Sequence, residues 1–275
     1  MNLSNYLLAL FIMLVVSVFF WVISVIKKDV SIVDSLWSLF FIIASVTTYF
    51  MQDEPSLRAS IVLLMVIIWA VRLSLHITVR HWGHGEDHRY QTIRENNQPG
   101  FKYKSLYLIF IFQAVIALIV AMPLFSAIES TSVLGVFDLV AIILWTVGMF
   151  FESTADYQLY KFKKNPANKG KIMTSGLWKY SRHPNYFGEC LIWWGFFSFA
   201  LAGYGLTGDG LVGGALVTII SPIIMTLLLL KFSGVNLLES TLKCRPGYEA
   251  YMKNTNAFIP GPVVMTKNIK QQDVM

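Results

Sequence analysis

Charge is scarce in this 275-residue chain. Asp, Glu, Lys and Arg make up 14% of it, against about a quarter in a soluble domain. Cysteine is nearly absent as well. Cys190 and Cys244 lie far apart with no Cys-x-x-Cys pair, so neither a disulfide framework nor a zinc site is supported. There is no Walker phosphate loop. The glycine-rich tract Gly203 to Gly214 has no strand pattern before it and no lysine, so it reads as a turn between spans. No fixed-period repeat is present, which argues against a transporter built from inverted repeats. The first apolar run, Tyr6 to Ile26, is too long for a signal-peptide core. It ends at Lys27-Lys28 without a small-residue cleavage site, and reads as a retained first span.

What is present is apolar: 55% of residues are hydrophobic. The composition predicts an all-α integral membrane protein. Seven stretches approach the roughly 20 residues that a bilayer requires: about 6–26, 31–50, 58–79, 105–125, 133–153, 187–203 and 211–231. The net charge of +6 would suit nucleic acid, but the basic residues are interrupted by the spans. Odd-numbered connections and the tail, with Lys231, hold 20 of the 22 basic residues. The positive-inside rule then places the N-terminus outside and the C-terminus in the cytoplasm. One domain over 1–260 is expected, with a polar, frayed tail over 261–275.

Polar groups inside or beside the spans are expensive unless they are partnered or face a cavity. Asp34 lies one turn into the second span, where it is a candidate proton holder; capping that helix is the plain alternative. Arg72 lies within the third span, four residues from His76 and on the same helix face. Glu152 and Asp156, also four apart, share a face at the end of the fifth span, and Lys163 continues it. Two like charges side by side repel; sugar hydroxyls would suit them, with Lys163 left for a phosphate. His81, His84 and His88 lie in a charged loop whose spacing matches no metal motif. The loop reads as a polar lid or headgroup contact, and no metal is expected. Near the C-terminus, Leu237–Leu242 and Gly247–Tyr251 suggest a short helix against the membrane face. Glu239 and Tyr251 there are placed to close over a cofactor, and Tyr248 and Tyr251 also suit an interfacial belt.

The densest polar stretch is Gly176 to Glu189. It puts Arg182, His183, Asn185, Tyr186 and Glu189 within eight residues, where a basic loop enters an apolar segment. A bound polar cofactor would supply partners for these groups.

Ser-Arg-His-Pro-Asn-Tyr-Phe-Gly-Glu, with Glu152-x-x-x-Asp156 and Asn165-Pro-Ala-Asn-Lys-Gly upstream, resembles the steroid 5-alpha-reductase C-terminal fold. Val33-Asp-Ser-Leu-Trp, Gly85-Glu-Asp-His-Arg-Tyr and Phe258-Ile-Pro extend the resemblance over most of the chain. The nearest match is the bacterial branch, the DUF1295 proteins. Arg-His-Pro-x-Tyr-x-Gly alone is not specific to this branch, because sterol reductases and isoprenylcysteine carboxyl methyltransferases also use it. The resemblance implies seven transmembrane helices around NADPH. It places Asn185 at the nicotinamide end with Glu189 beside it, Glu152 and Asp156 on the sugars, Lys163 near the phosphates, and Arg72 at an arginine of the third span. The steroid enzymes polarise their ketone with a glutamate in span two and a tyrosine in span three. The nearest counterparts here are Asp34 and Trp69, and tryptophan has no hydroxyl to give.

The leading expectation is a membrane-embedded NADPH-dependent reductase of a lipophilic enone or alkene, with Asp34 at the developing enolate. Arg72, Glu152, Asp156, Lys163, Arg182, His183, Asn185, Tyr186, Glu189 and Glu239 are the expected cofactor ligands. The alternative is an S-adenosylmethionine-dependent methyltransferase of a lipidic substrate, for which Arg182, His183, Tyr186 and Glu239 would also serve. A third class is a non-enzymatic lipid-binding protein. Expected partners are a lipophilic small molecule and membrane lipids, with no nucleic acid; the expected location is a bacterial inner membrane.

Overall fold

The computed structural model describes residues 2–83, 85–204, 214, 216–232, 235, 239 and 242–262. His84, most of the glycine-rich tract, residues 236–238 and 240–241 of the C-terminal block, and residues 263–275 of the expected tail lie outside the described residues. Among the described residues the structure is helical, with an isolated parallel bridge between Ser181 and Asn256. In chain order the helices are α1 (Leu3–Lys27), α2 (Ile32–Phe50), α3 (Leu57–His81), α4 (His88–Asn96), α5 (Phe101–Val120), α6 (Met122–Ile128), α7 (Val136–Lys164), α8 (Pro184–Tyr204), α9 (Leu216–Lys231) and α10 (Tyr248–Asn254).

Five of these, α1, α2, α3, α5 and α7, are long and apolar enough to cross a bilayer, which makes this an integral membrane protein. The sixth expected stretch falls within α8, and the seventh overlaps the shorter α9. The fourth differs from its expected 105–125. Helix α5 starts earlier, behind Gly100 in the left-handed conformation. It ends at Val120, and α6 restarts at Met122. Pro123 supplies the reason: it has no N–H to give and is tolerated only in a first turn.

The chain divides into two compact units, Met1–Ile143 with Trp194–Ile224, and Leu144–Trp193 with Met225–Met275. In the first, α1 is capped by the Asn2 side chain, which accepts from the Ser4 N–H, and ends at Lys28 in the left-handed region (φ 54°). Its buried residues Asn5, Ala9, Met13 and Ser17 recur every fourth position. They form a narrow stripe of mostly small residues, which lets neighbouring backbones approach. Larger apolar side chains such as Phe11, Phe19 and Ile26 stay on the exposed face, as lipid contact requires. Helices α2 and α3 pack along one another, with Phe40, Phe41 and Trp69 fully buried. At one end of this unit Arg58 is buried. It donates to both Asp138 oxygens (2.7 and 2.9 Å), to Ser130 and Ser132 hydroxyls, and to the Val133 carbonyl.

In the second unit, the loop after α7 folds back onto that helix. Trp178 Nε1 donates to the Ala155 carbonyl (3.1 Å), and the Leu177 N–H donates to Gln158 Oε1 (3.0 Å). Ala155, Met173 and Trp178 form a buried cluster, with Leu159, Phe162 and Leu177 around it. Gly176 makes the turn possible. Its φ is +62°, and a Cβ there would lie 2.5 Å from Gln158 Oε1.

Candidate functional site

Pro184 opens α8, where its missing N–H costs nothing. Two turns of α8 then lie against α7 at an unusually close crossing. A Cβ on Gly188 would fall 2.5 Å from the Gly148 carbonyl oxygen and 2.5 Å from the Glu152 nitrogen. Glycine at 188 is therefore what brings the acidic face of α7 beside the Asn-x-x-Gly-Glu turn. Glu152, Asp156 and Glu189 are all buried. Asn185 Nδ2 donates to Asp156 Oδ1 (3.1 Å), while Asn185 Oδ1 is buried with no hydrogen-bond donor. Lys163 is exposed in the last turn of α7, whose helix does persist that far.

Arg182, His183 and Glu239 also come together, mainly with one another. Arg182 donates through Nε (2.8 Å) and Nη2 (3.1 Å) to Glu239, and through Nη1 to the carbonyls of Met252 (3.0 Å) and Thr255 (2.7 Å). His183 Nε2 lies 3.1 Å from Glu239 Oε1, and its ring stacks on Tyr186. Tyr251, expected near a cofactor, instead donates its hydroxyl to the Trp178 carbonyl. Burial pushes Glu239 up, but hydrogen bonds and charge from Arg182, with help from His183, outweigh it and hold the carboxyl below its usual range. Burial dominates at His183 and lowers its affinity for a proton, although Glu239 works the other way.

The first unit carries a separate polar centre. Asp34, in the first turn of α2, does not cap its helix. Its carboxylate accepts from Arg89 Nη2 (2.6 Å) and from the Tyr90 hydroxyl. Arg89 also donates through Nε to Asp87 (3.0 Å), which caps α4 by accepting from the Arg89 N–H. Glu86 accepts from the Val30 N–H (3.0 Å) and from Arg94 (2.7 and 2.8 Å). The Gly85–Tyr90 block is thereby tied to the start of α2. Gln113 of α5 donates to the Tyr90 oxygen (3.3 Å). Burial first, and then the Asp34 charge, raise the Tyr90 pKa well above its ordinary value, so Tyr90 stays a neutral hydroxyl donor. Arg72 is half-buried in α3, one turn before His76.

Trp69 stands where the steroid enzymes have a tyrosine, and the hydroxyl on Asp34 comes from Tyr90, which the sequence alone does not single out. The signal for it is the Gly85-Glu-Asp-His-Arg-Tyr block, whose charged loop by itself suggests a polar lid or headgroup contact. Asp34, His81 and Asp87 place ligand-type atoms within 4.8 Å of one another. The Arg89 guanidinium bridges the two aspartates, so it already provides the positive charge that a metal would bring.

A family model described as "Protein of unknown function (DUF1295)" matches residues 20–255. The chain belongs to the DUF1295 family. It is similar to an uncharacterized protein of Schizosaccharomyces pombe, 24% identical over 291 residues that cover 94% of this chain and 80% of the relative. A shorter likeness, 48% identical over 44 residues and 16% of each chain, links this DUF1295 member to a probable O-methyltransferase of Ustilaginoidea virens. No solved structure matches the chain.

Proposed function

We propose that this DUF1295 protein is an NADPH-dependent reductase of a lipophilic enone. The observation that carries the reading is the Tyr90 hydroxyl held on Asp34 and backed by Arg89. A neutral phenol fixed on a carboxylate is the donor that a developing enolate oxygen requires, and methyl transfer has no use for it.

The residues of the second unit fit the cofactor. Asn185 Oδ1 is a buried acceptor awaiting a donor, such as a carboxamide N–H or a ribose hydroxyl. Buried Glu152 and Asp156 suit further ribose hydroxyls, with Glu189 beside them and exposed Lys163 for a phosphate. Arg182, His183 and Glu239 act through the turn they brace. Bound NADPH supplies a hydride. The second unit would bind and orient the cofactor, and the first offers in Tyr90 a neutral hydroxyl donor of the kind that a substrate carbonyl oxygen needs. The hydroxyl turns from Asp34 to that oxygen by rotating about its C–O bond. The Arg89 guanidinium over the Tyr90 ring at 5.4 Å, and Gln113, which donates to the Tyr90 oxygen, keep the ring in place. The reading includes seven spans, with α8 and the 211–231 stretch completing the five, an outside N-terminus, a cytoplasmic C-terminus and a bacterial inner membrane.

The short likeness to a probable O-methyltransferase favours a second reading, methylation of a lipidic substrate from S-adenosylmethionine. One measurement separates them: the thermal shift of the detergent-purified protein with NADPH, NADH or S-adenosylmethionine at equal concentration. A ligand at 100 times its Kd adds about 2.7 kcal/mol. Stabilisation by NADPH that is lost in Asn185→Ala supports the reductase. Stabilisation by S-adenosylmethionine instead rejects it, and no shift with any of the three favours a non-enzymatic lipid-binding role.

A further inference from the structure

A second polar feature of the first unit borders the Asp34 centre, with Arg94 and Val30 common to both, and has no part in the proposed reaction. The C-terminal end of α1 and the first turn of α5 enclose a cavity of about 240 Å³, open on one side. Lys28, Arg94 and Lys102 line it, with Ser24, Ser105 and Phe101, and among the described residues no acidic side chain does. The walls are fixed. Trp21 Nε1 on α1 donates to the Lys102 carbonyl (2.8 Å), and Arg94 stacks over the Phe101 ring at 4.6 Å. The serine protons are spent on their own helices, Ser24 on the Trp21 carbonyl (2.7 Å) and Ser105 on the Lys102 carbonyl (2.9 Å). Donors for a ligand must therefore come from the cations. Arg94 uses Nε and Nη2 on Glu86, with Nη2 also reaching the Lys28 carbonyl, and this leaves Nη1. Glu86 and Asp29 are the acidic groups that act on Arg94, and Glu86 is already held by Arg94 and by the Val30 N–H.

Three cations around a fixed cavity call for an anion with several oxygens, and the surroundings say which kind. The cavity sits where the basic Lys27-Lys28 pair ends an apolar helix. Val22 and Ile26 on α1, and Tyr103 and Tyr107 on α5, are exposed within a turn of the lining residues, and the Lys102 ammonium lies over the Tyr103 ring at 4.6 Å. Tyrosines at this level mark a headgroup zone, and basic pockets between helix ends bind lipid head groups. We propose that this cavity binds the phosphate of an anionic phospholipid, with its acyl chains against α1 and α5.

The test uses the full chain in zwitterionic detergent, titrated with short-chain phosphatidylglycerol, phosphatidylcholine or inorganic phosphate and followed by thermal shift. The parent is compared with Lys28→Asn/Lys102→Gln. Asparagine tolerates the left-handed backbone at position 28, and both lysines are exposed, so the fold is retained. Equal melting of parent and variant without lipid checks this, and Lys28→Arg/Lys102→Arg should restore binding. At about 1 kcal/mol per basic residue, the double variant should bind phosphatidylglycerol on the order of 30-fold more weakly. Equal stabilisation by phosphatidylcholine, or an undiminished effect in the variant, would overturn the proposal. Inorganic phosphate matching the lipid at equal concentration would also overturn it, in favour of a soluble phosphate ligand.

Discussion

Glu239→Gln offers the sharpest test of how the second unit is held together. Arg182 and Glu239 are 9% and 8% exposed, so the pair is shielded from solvent. Removing one partner of a buried pair costs about 3–5 kcal/mol, because the other charge is left uncompensated. Arg182 keeps two carbonyl acceptors, Met252 and Thr255, which puts the loss near the low end, about 3 kcal/mol. At roughly 2–4 °C per kcal/mol for a chain of this order, Tm should fall by roughly 6–12 °C. Arg182→Met should cost more. It loses the pair and also strands both carbonyls, at about 1–3 kcal/mol for each buried group left unsatisfied. The double variant Arg182→Met/Glu239→Gln should then melt close to Arg182→Met alone, since the pair can be lost only once. The assay is thermal unfolding of the four proteins in one detergent. A fall of less than about 2 °C in Glu239→Gln, or strict additivity in the double variant, would refute the reasoning.

Acid should weaken the same contact. His183 binds a proton less readily folded than unfolded, so the unfolded chain gains protons as pH falls below the ordinary value of 6.5. Glu239 has a depressed folded pKa, so its contribution holds above the ordinary 4.5 and disappears as pH drops through the lower folded value. Tm should therefore decline from pH 7 towards pH 5, and His183→Gln should flatten the first part of that slope; an unchanged slope contradicts the assignment. Tyr90→Phe should lower turnover of an enone by about 10²–10³ with little change in NADPH binding, as loss of an oxyanion donor does; loss of cofactor binding instead would make Tyr90 structural. Gly188→Ala places a methyl group against backbone at 2.5 Å and should cost about 3 kcal/mol, the upper end for overpacking, measured as thermal unfolding. A neutral result would mean that α7 and α8 can separate freely.

Features that depend on neighbours in the chain were legible from the amino acids. Long apolar runs announced α1, α2, α3 and α7, and four-residue spacing announced that Glu152 and Asp156 share a face. Pro123 was also visible, but whether a proline bends a span or ends it depends on what surrounds it. Pairings across the chain were hidden. Asp34 and Tyr90 are 56 residues apart, and Arg182 and Glu239 are 57 apart. A sequence gives each group's need for a partner without naming the partner. Hence Arg182, His183 and Glu239 read as ligands for a cofactor, whereas the fold gives much of their bonding capacity to one another.

The attachment of the last described segment to the start of α8 has a consequence for biosynthesis. Ser181 Oγ donates to the Phe258 carbonyl, the Arg182 N–H donates to the Asn256 carbonyl, and the Gly261 N–H donates to the Tyr180 carbonyl. None of these bonds can form until residues 256 to 261 have left the ribosome. The apolar helices can enter the membrane one after another as they emerge, but the turn carrying Arg182 and His183 must wait for residues 256 to 261. A ribosome stalled near residue 240 would leave a membrane-inserted chain with that turn unfastened, a form that a quality-control protease could recognise by its loose end.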